Sequence, residues 1–255
     1  MAWRPSRKPG WRAKRAEAHT NVCGDAAPPP QPRANLRREQ GGRGVRRILI
    51  LAASALALSG ARAQTIIDEW GQVKVPPPPE LKAVTVEPKT DALLLLDFNG
   101  HEAADSGPCN KTSKPRCLAS LPKLRAALDA ARAHGVFIVY SLSPMGAATD
   151  IWPEVAPQAG EPVVKSGPDK FLGTELRTLL EAKGVRRVIV TGTASEGAVL
   201  NTAADAALHG MSVVLPVDGM SSTERYAEQY VAWHMTHAPG VAPKTTLTSL
   251  AQLRF

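Results

Sequence analysis

From residue 91 onward, short unbroken apolar runs alternate with stretches whose apolar residues recur every three or four positions. Ala92–Leu96 is the first run, and it stops at Asp97. A run that is apolar at every position fits a strand covered on both faces rather than one with a wet side. Val136–Ser141, Pro162–Lys165, Arg187–Thr191, Ser212–Val217 and Thr245–Thr248 repeat the strand signal. Between them, Ser120–His134 carries Leu121, Leu124, Leu128 and Ala131 on one stripe, with Ser120 as the predicted cap and Gly135 as the stop. Thr174–Lys183 closes at Gly184, Gly197–His209 closes at Gly210, and Thr223–His237 is the last predicted helix. Strands alternating with helices through short connections predict a three-layer α/β/α, Rossmann-like parallel sheet. Ligands of such sheets bind beyond the carboxyl ends of the strands. That rule directs attention to Asp97, to the Lys165–Lys170 loop and to the Gly192–Val199 turn, which follow different strands and can converge.

Ahead of this region the pattern changes. Residues 64–90 read as an extended arm whose proline run, Pro76–Pro79, adopts polyproline II geometry and wraps the domain surface. Arg46-Arg47, the apolar run Ile48–Leu58 and Ala61-Arg62-Ala63 have the layout of a secretory signal peptide cut after Ala63. The run is roughly half the ~20 residues that a span needs, so no stable membrane anchor is expected. A twin-arginine route fits the flanking residues poorly. Residues 1–44, rich in Arg, Pro and Gly, cannot build a core, and Val45 is read as the true start, at an alternative start codon. The expected product is periplasmic or secreted, with residues 91–255 as its domain.

Charge follows the same division. The formal net charge is +8, yet residues 1–63 carry 13 Lys and Arg against 3 Asp and Glu, a net of +10. Residues 64–255 carry 18 against 20, a net of −2. A nearly neutral body without basic–aromatic interleaving gives no footing for nucleic acid. Cys23 lies in the leader, whereas Cys109 and Cys117 share one polar loop of an exported chain and read as a disulfide. Such a small loop is worth about 2–3 kcal/mol in the chain-entropy picture. A metal pair would lack further His or Cys ligands nearby, and a catalytic thiol is the remaining alternative.

Three landmarks, in order, resemble the isochorismatase-like superfamily, the cysteine hydrolases. They are Leu93-Leu94-Leu95-Leu96-Asp97-Phe98; then Val163-Val164-Lys165 with Phe171-Leu172-Gly173-Thr174-Glu175-Leu176; then Val188-Ile189-Val190-Thr191-Gly192-Thr193-Ala194, followed by Val199 and Thr202-Ala203-Ala204-Asp205-Ala206. Together they span about half of the chain. The resemblance implies an Asp as general acid/base, a Lys that orients and tunes it, and a Cys that attacks a carbonyl.

By position the Asp is Asp97, and its place at the end of an apolar strand raises its pKa toward useful values. The Lys is Lys165 by its spacing from Phe171, or else Lys170, beside Phe171 in an insert-like stretch; the spacing leans to Lys165. Ala198 stands where the Cys would be, which excludes a thioester intermediate at that position. Ser195 has no evident His base. What the turn keeps is Thr193, Ala194, Ser195 and Gly197, with N–H groups around Ala194 and Ala198 that suit a carboxylate or a developing oxyanion. Members without the Cys, the isochorismatases proper, cleave a vinyl ether by protonating its double bond from the Asp before water attacks.

The Asp-x-His metal pattern of some members is missing after the second strand, where the chain reads Ser141-Leu142-Ser143, so neither a metal nor a cofactor is expected. His101 reads as solvated, and His234 with His237 as structural. Trp152, Tyr226, Tyr230 and Trp233 either wall the pocket or pack a core or an interface. The leading expectation is an exported hydrolase of a small anionic molecule. The alternatives are a non-catalytic small-molecule binder on the same scaffold and an amidase with an unrecognised nucleophile. A homo-oligomer is compatible with the resemblance, since family members often assemble through such helices.

Overall fold

The computed structural model describes residues 65–102 and 105–255. The signal-peptide pattern, the cut after Ala63, Cys23 and the Val45 start lie outside the described residues. Among the described residues, the strands in chain order are β1 (Val84–Thr85), β2 (Asp91–Leu96), β3 (Phe137–Leu142), β4 (Val163–Lys165), β5 (Arg187–Thr193), β6 (Ser212–Pro216), β7 (Met220–Ser221), β8 (Thr245–Thr248) and β9 (Leu253–Arg254). The α-helices are α1 (Pro115–Ala133), α2 (Leu176–Ala182), α3 (Leu200–Leu208) and α4 (Arg225–His237).

The main sheet runs β4-β3-β2-β5-β6-β8, with β7 on the extension of β5, and every pairing in it is parallel. β2 is buried at every position. The two-residue period of a strand sends alternate side chains to opposite layers. Leu93 and Leu95 join Leu121, Leu124 and Leu128 of α1 on one face. Ala92, Leu94 and Leu96 join residues of α2, α3 and α4 on the other. The fold is therefore a three-layer α/β/α parallel sheet, as the alternating pattern predicts.

The chain builds outward from β2 in both directions: β3 and β4 lie on one side, β5, β6 and β8 on the other. The reversal falls between β2 and β5, where an open α/β sheet leaves a crevice beyond its strand ends. Gly192 makes this junction close. At φ 149 it sits where a side chain is strained, and an added Cβ would lie 2.5 Å from the Leu96 carbonyl oxygen.

Several boundaries differ from the sequence reading. α1 starts at Pro115 rather than Ser120, with Lys114 at the cap position. Proline suits a first turn, whose N–H groups lack helical partners. Ser120 lies inside the helix, its hydroxyl donating to the Cys117 carbonyl at 2.7 Å. The helix read as Gly197–His209 is a π-helical turn, Ser195–Val199, that hands over to α3. Within the proline-rich arm, β1 pairs in parallel with β9, and the flanking Lys82 and Val86 N–H groups donate to Leu247 and Arg254.

Candidate functional site

Asp97 leaves the end of β2 in the left-handed region, at φ 57, which Asp tolerates better than most side chains. Its N–H donates to the Ser141 carbonyl at 3.1 Å. Its carboxylate accepts the Ser141 hydroxyl at 2.8 Å and the Lys170 ammonium at 2.8 Å. Burial raises its pKa above the ordinary carboxylate range, against the opposing pull of Lys170, Ser141 and Lys114.

Lys170 is fully buried. Besides Asp97, its ammonium donates to the Ser166 carbonyl at 3.2 Å and the Gly167 carbonyl at 2.8 Å. Three acceptors match the three donors of an ammonium. Its backbone N–H donates to Thr202 Oγ1 at 3.1 Å, four residues along from Ala198. The loop that brings Lys170 to Asp97 thus also rests on the helix that follows the turn.

Lys165 is exposed at the end of β4 and forms no ion pair with Asp97. Spacing favoured Lys165, and it is the insert-like stretch Ser166–Lys170 that delivers the ammonium. Asp169 accepts the Phe171 N–H at 2.9 Å.

The turn after β5 lies beside Asp97 because Leu96 and Gly192 are paired neighbours in β2 and β5. The peptide bond between Thr193 and Ala194 is cis. Ser195 and Ala198 are buried, and Gly197 accepts the Asn201 side-chain amide at 2.8 Å. Ser195 Oγ has no hydrogen-bond partner among the described residues, nor has Asn99 Oδ1, Ser221 Oγ or Ser222 Oγ. The Thr193 hydroxyl donates to the Pro108 carbonyl at 3.3 Å, tying the turn to the cysteine loop.

Cys109 and Cys117 form a disulfide. The amidase alternative loses its two candidate thiols with that bond. Cys109 also anchors the loop through its backbone: its N–H donates to Asn99 and its carbonyl accepts the Trp152 indole at 2.8 Å. Trp152 is buried in this way, and His101 packs edge-on against it. Tyr226, Tyr230 and Trp233 form a stack along α4 instead, continued by His237 against Trp233.

The residues after β3 do not fit a metal. The Ser141 hydroxyl serves Asp97 and the Ser143 hydroxyl accepts Asn99 Nδ2 at 3.3 Å. Among the described residues, no three His, Cys, Asp or Glu side chains gather as ligands.

One residue near the site was not singled out from the sequence. Lys114, at the start of α1, is half-buried, and the charges of Asp97 and Glu196 both act on it. Its only sequence signal is its place between a cysteine loop and a proline that opens a helix.

The isochorismatase domain matches residues 91–248 of the chain. A secreted isochorismatase effector of Verticillium dahliae is 26% identical over 151 residues, which is 55% of this chain and 77% of the effector. A maleamate amidohydrolase of Pseudomonas putida is 40% identical over 62 residues, 24% of this chain and 29% of that enzyme. Among solved structures, an isochorismatase family protein from Desulfovibrio vulgaris superposes with a TM-score of 0.55 at 22% identity, covering 64% of this chain and 95% of that one. No helix among the described residues is long and apolar enough to cross a membrane.

Proposed function

Because the chain belongs to the isochorismatase domain family, we propose that it is an exported hydrolase of a small anionic molecule, working from Asp97 and Lys170 without a protein nucleophile. The observation that carries this reading is the buried Asp97–Lys170 pair at 2.8 Å, set at the junction of β2 and β5. Asp97 would give and take the proton. Burial keeps that proton bound to higher pH than in a free aspartate, which suits a general acid. Lys170 and Ser141 would fix the carboxylate's orientation. The N–H groups around Ala194 and Ala198 would hold an oxygen as charge develops on it.

With a methyl group at residue 198, water is the nucleophile. Protonation of an enol-ether carbon by Asp97, addition of water with its proton returning to Asp97, and collapse of the hemiketal to a carbonyl and a free alcohol would complete the cleavage without a protein nucleophile. Export is supported by the signal-peptide layout, by the disulfide and by the likeness to a secreted effector.

The test is a screen of the purified protein against small carboxylates, amides and enol ethers, first by thermal shift and then by turnover. Asp97→Asn is expected to lower turnover of any substrate found by ~100-fold or more, the usual weight of a general acid. Full turnover in that variant would overturn the mechanism, and tight binding without any turnover would favour a non-catalytic binder.

A further inference from the structure

We propose that Lys114 is the carboxylate-binding residue of this site: its ammonium, carried on the disulfide-closed loop, takes the anionic group of a small substrate whose reacting end lies against Asp97. The inference rests on the hydrolase reading above and names the substrate class for it.

The first argument is elimination among the cations of this region. Lys170 gives its three donors to Asp97, Ser166 and Gly167. Arg116 is held by Glu228 and by the Ser222 and Thr223 carbonyls. Lys165 is exposed at the far end of the loop that carries Lys170. Lys114 differs from all of them. Among the described residues its ammonium has neither a hydrogen bond nor an ion pair, although it is half-buried. A half-buried cation that no group among the described residues pairs has lost part of its hydration and is free to take a bound anion. Burial correspondingly depresses the Lys114 pKa, against the pull of Glu196 and Asp97.

The second argument is that its mount is built rather than loose. Asn110 closes the loop on itself, accepting the Thr112 and Ser113 N–H groups and donating to the Gly107 carbonyl. Gly107 packs so closely on Gly100 that an added Cβ would lie 2.3 Å from the Gly100 Cα. The Cys109 N–H holds the loop to Asn99, two residues beyond Asp97, and Pro108 holds it to Thr193. On the far side, Arg116 ties the first turn of α1 to Ser222 and Thr223, just past β7. The backbone that carries Lys114 is thereby fixed to the exits of β2, β5 and β7 together.

Charge selects the anion. Asp97 and Glu196 both lie within electrostatic reach of Lys114. With the Asp97 charge matched by Lys170, the field of Glu196 opposes a dianion such as a phosphate monoester, whereas one carboxylate meets one ammonium. The substrate class is a small monocarboxylate that carries its hydrolysable bond a few atoms from the carboxylate.

The experiment uses the full chain and matched pairs that differ only in charge: benzoate and benzamide, nicotinate and nicotinamide, maleamate and maleamide. Affinities are read by calorimetric titration for the wild type, Lys114→Met, Lys114→Arg and Asp97→Asn. In the wild type at least one carboxylate binds more tightly than its amide. Lys114→Met is expected to weaken that carboxylate by ~10-fold or more and to leave the amide within about twofold, and Lys114→Arg to restore most of the difference. No carboxylate preference in the wild type, or an undiminished one in Lys114→Met, would overturn the proposal. The two readings fail separately: loss of preference in Lys114→Met keeps the carboxylate site even where Asp97→Asn turns over normally and sinks the hydrolytic mechanism.

Discussion

Lys170 spends its charge inside the protein. Removing one member of a buried pair strands the other, so Lys170→Met is expected to destabilise the fold by about 3–5 kcal/mol near neutral pH. The sign of its pH dependence follows from Asp97. The folded pKa of that carboxyl already lies above its ordinary 3.8, because burial outweighs its partners, and losing Lys170 lifts it further. A carboxyl raised in this way stabilises the fold below its unfolded pKa and loses that contribution as pH rises through the folded one. The variant should therefore recover toward wild-type stability in acid and fall away above about pH 4, seen as a widening gap in melting temperature. Asp97 was legible in the sequence because an apolar run ended on a charge. Lys170 was legible only as one of two candidates, since spacing along a chain does not reveal which way a loop folds. Lys114 was not legible, because a half-buried lysine and a solvated one look alike in sequence.

Among the elements, the strands were read best. β2 and β5 are covered on both faces and so carry unbroken apolar runs that need no tertiary knowledge to recognise. The start of α1 was missed because Lys114 is no capping residue and Pro115, which opens the helix, equally suits a turn. The π-helical turn was missed because its distinction from an α-helix lies in hydrogen-bond register, which residue type does not encode. The junction of β2 and β5 depends on Gly192, where a methyl group would meet the Leu96 carbonyl and Cβ at 2.5 and 2.6 Å. Gly192→Ala is expected to cost at least ~3 kcal/mol, combining strain at positive φ with overpacking against backbone. It should also abolish ligand binding in the screen above, because the shift would displace the turn that follows.

Across the whole described domain, the small β1–β9 sheet joins the arm to the other end of the domain. Val84, Val86 and Leu253 are buried with the α1 face. Leu253→Ala is expected to cost about 2–3 kcal/mol by chemical denaturation, the usual loss for a truncated buried leucine. Neither strand could be read beforehand, because two residues hold no period. Their pairing has a temporal consequence. Val84 pairs with Leu253, which follows it by 169 positions. During synthesis, and during any threading through a narrow pore, the first of these two strands emerges long before its mate. Its edge stays open until the second arrives, so this clasp forms late.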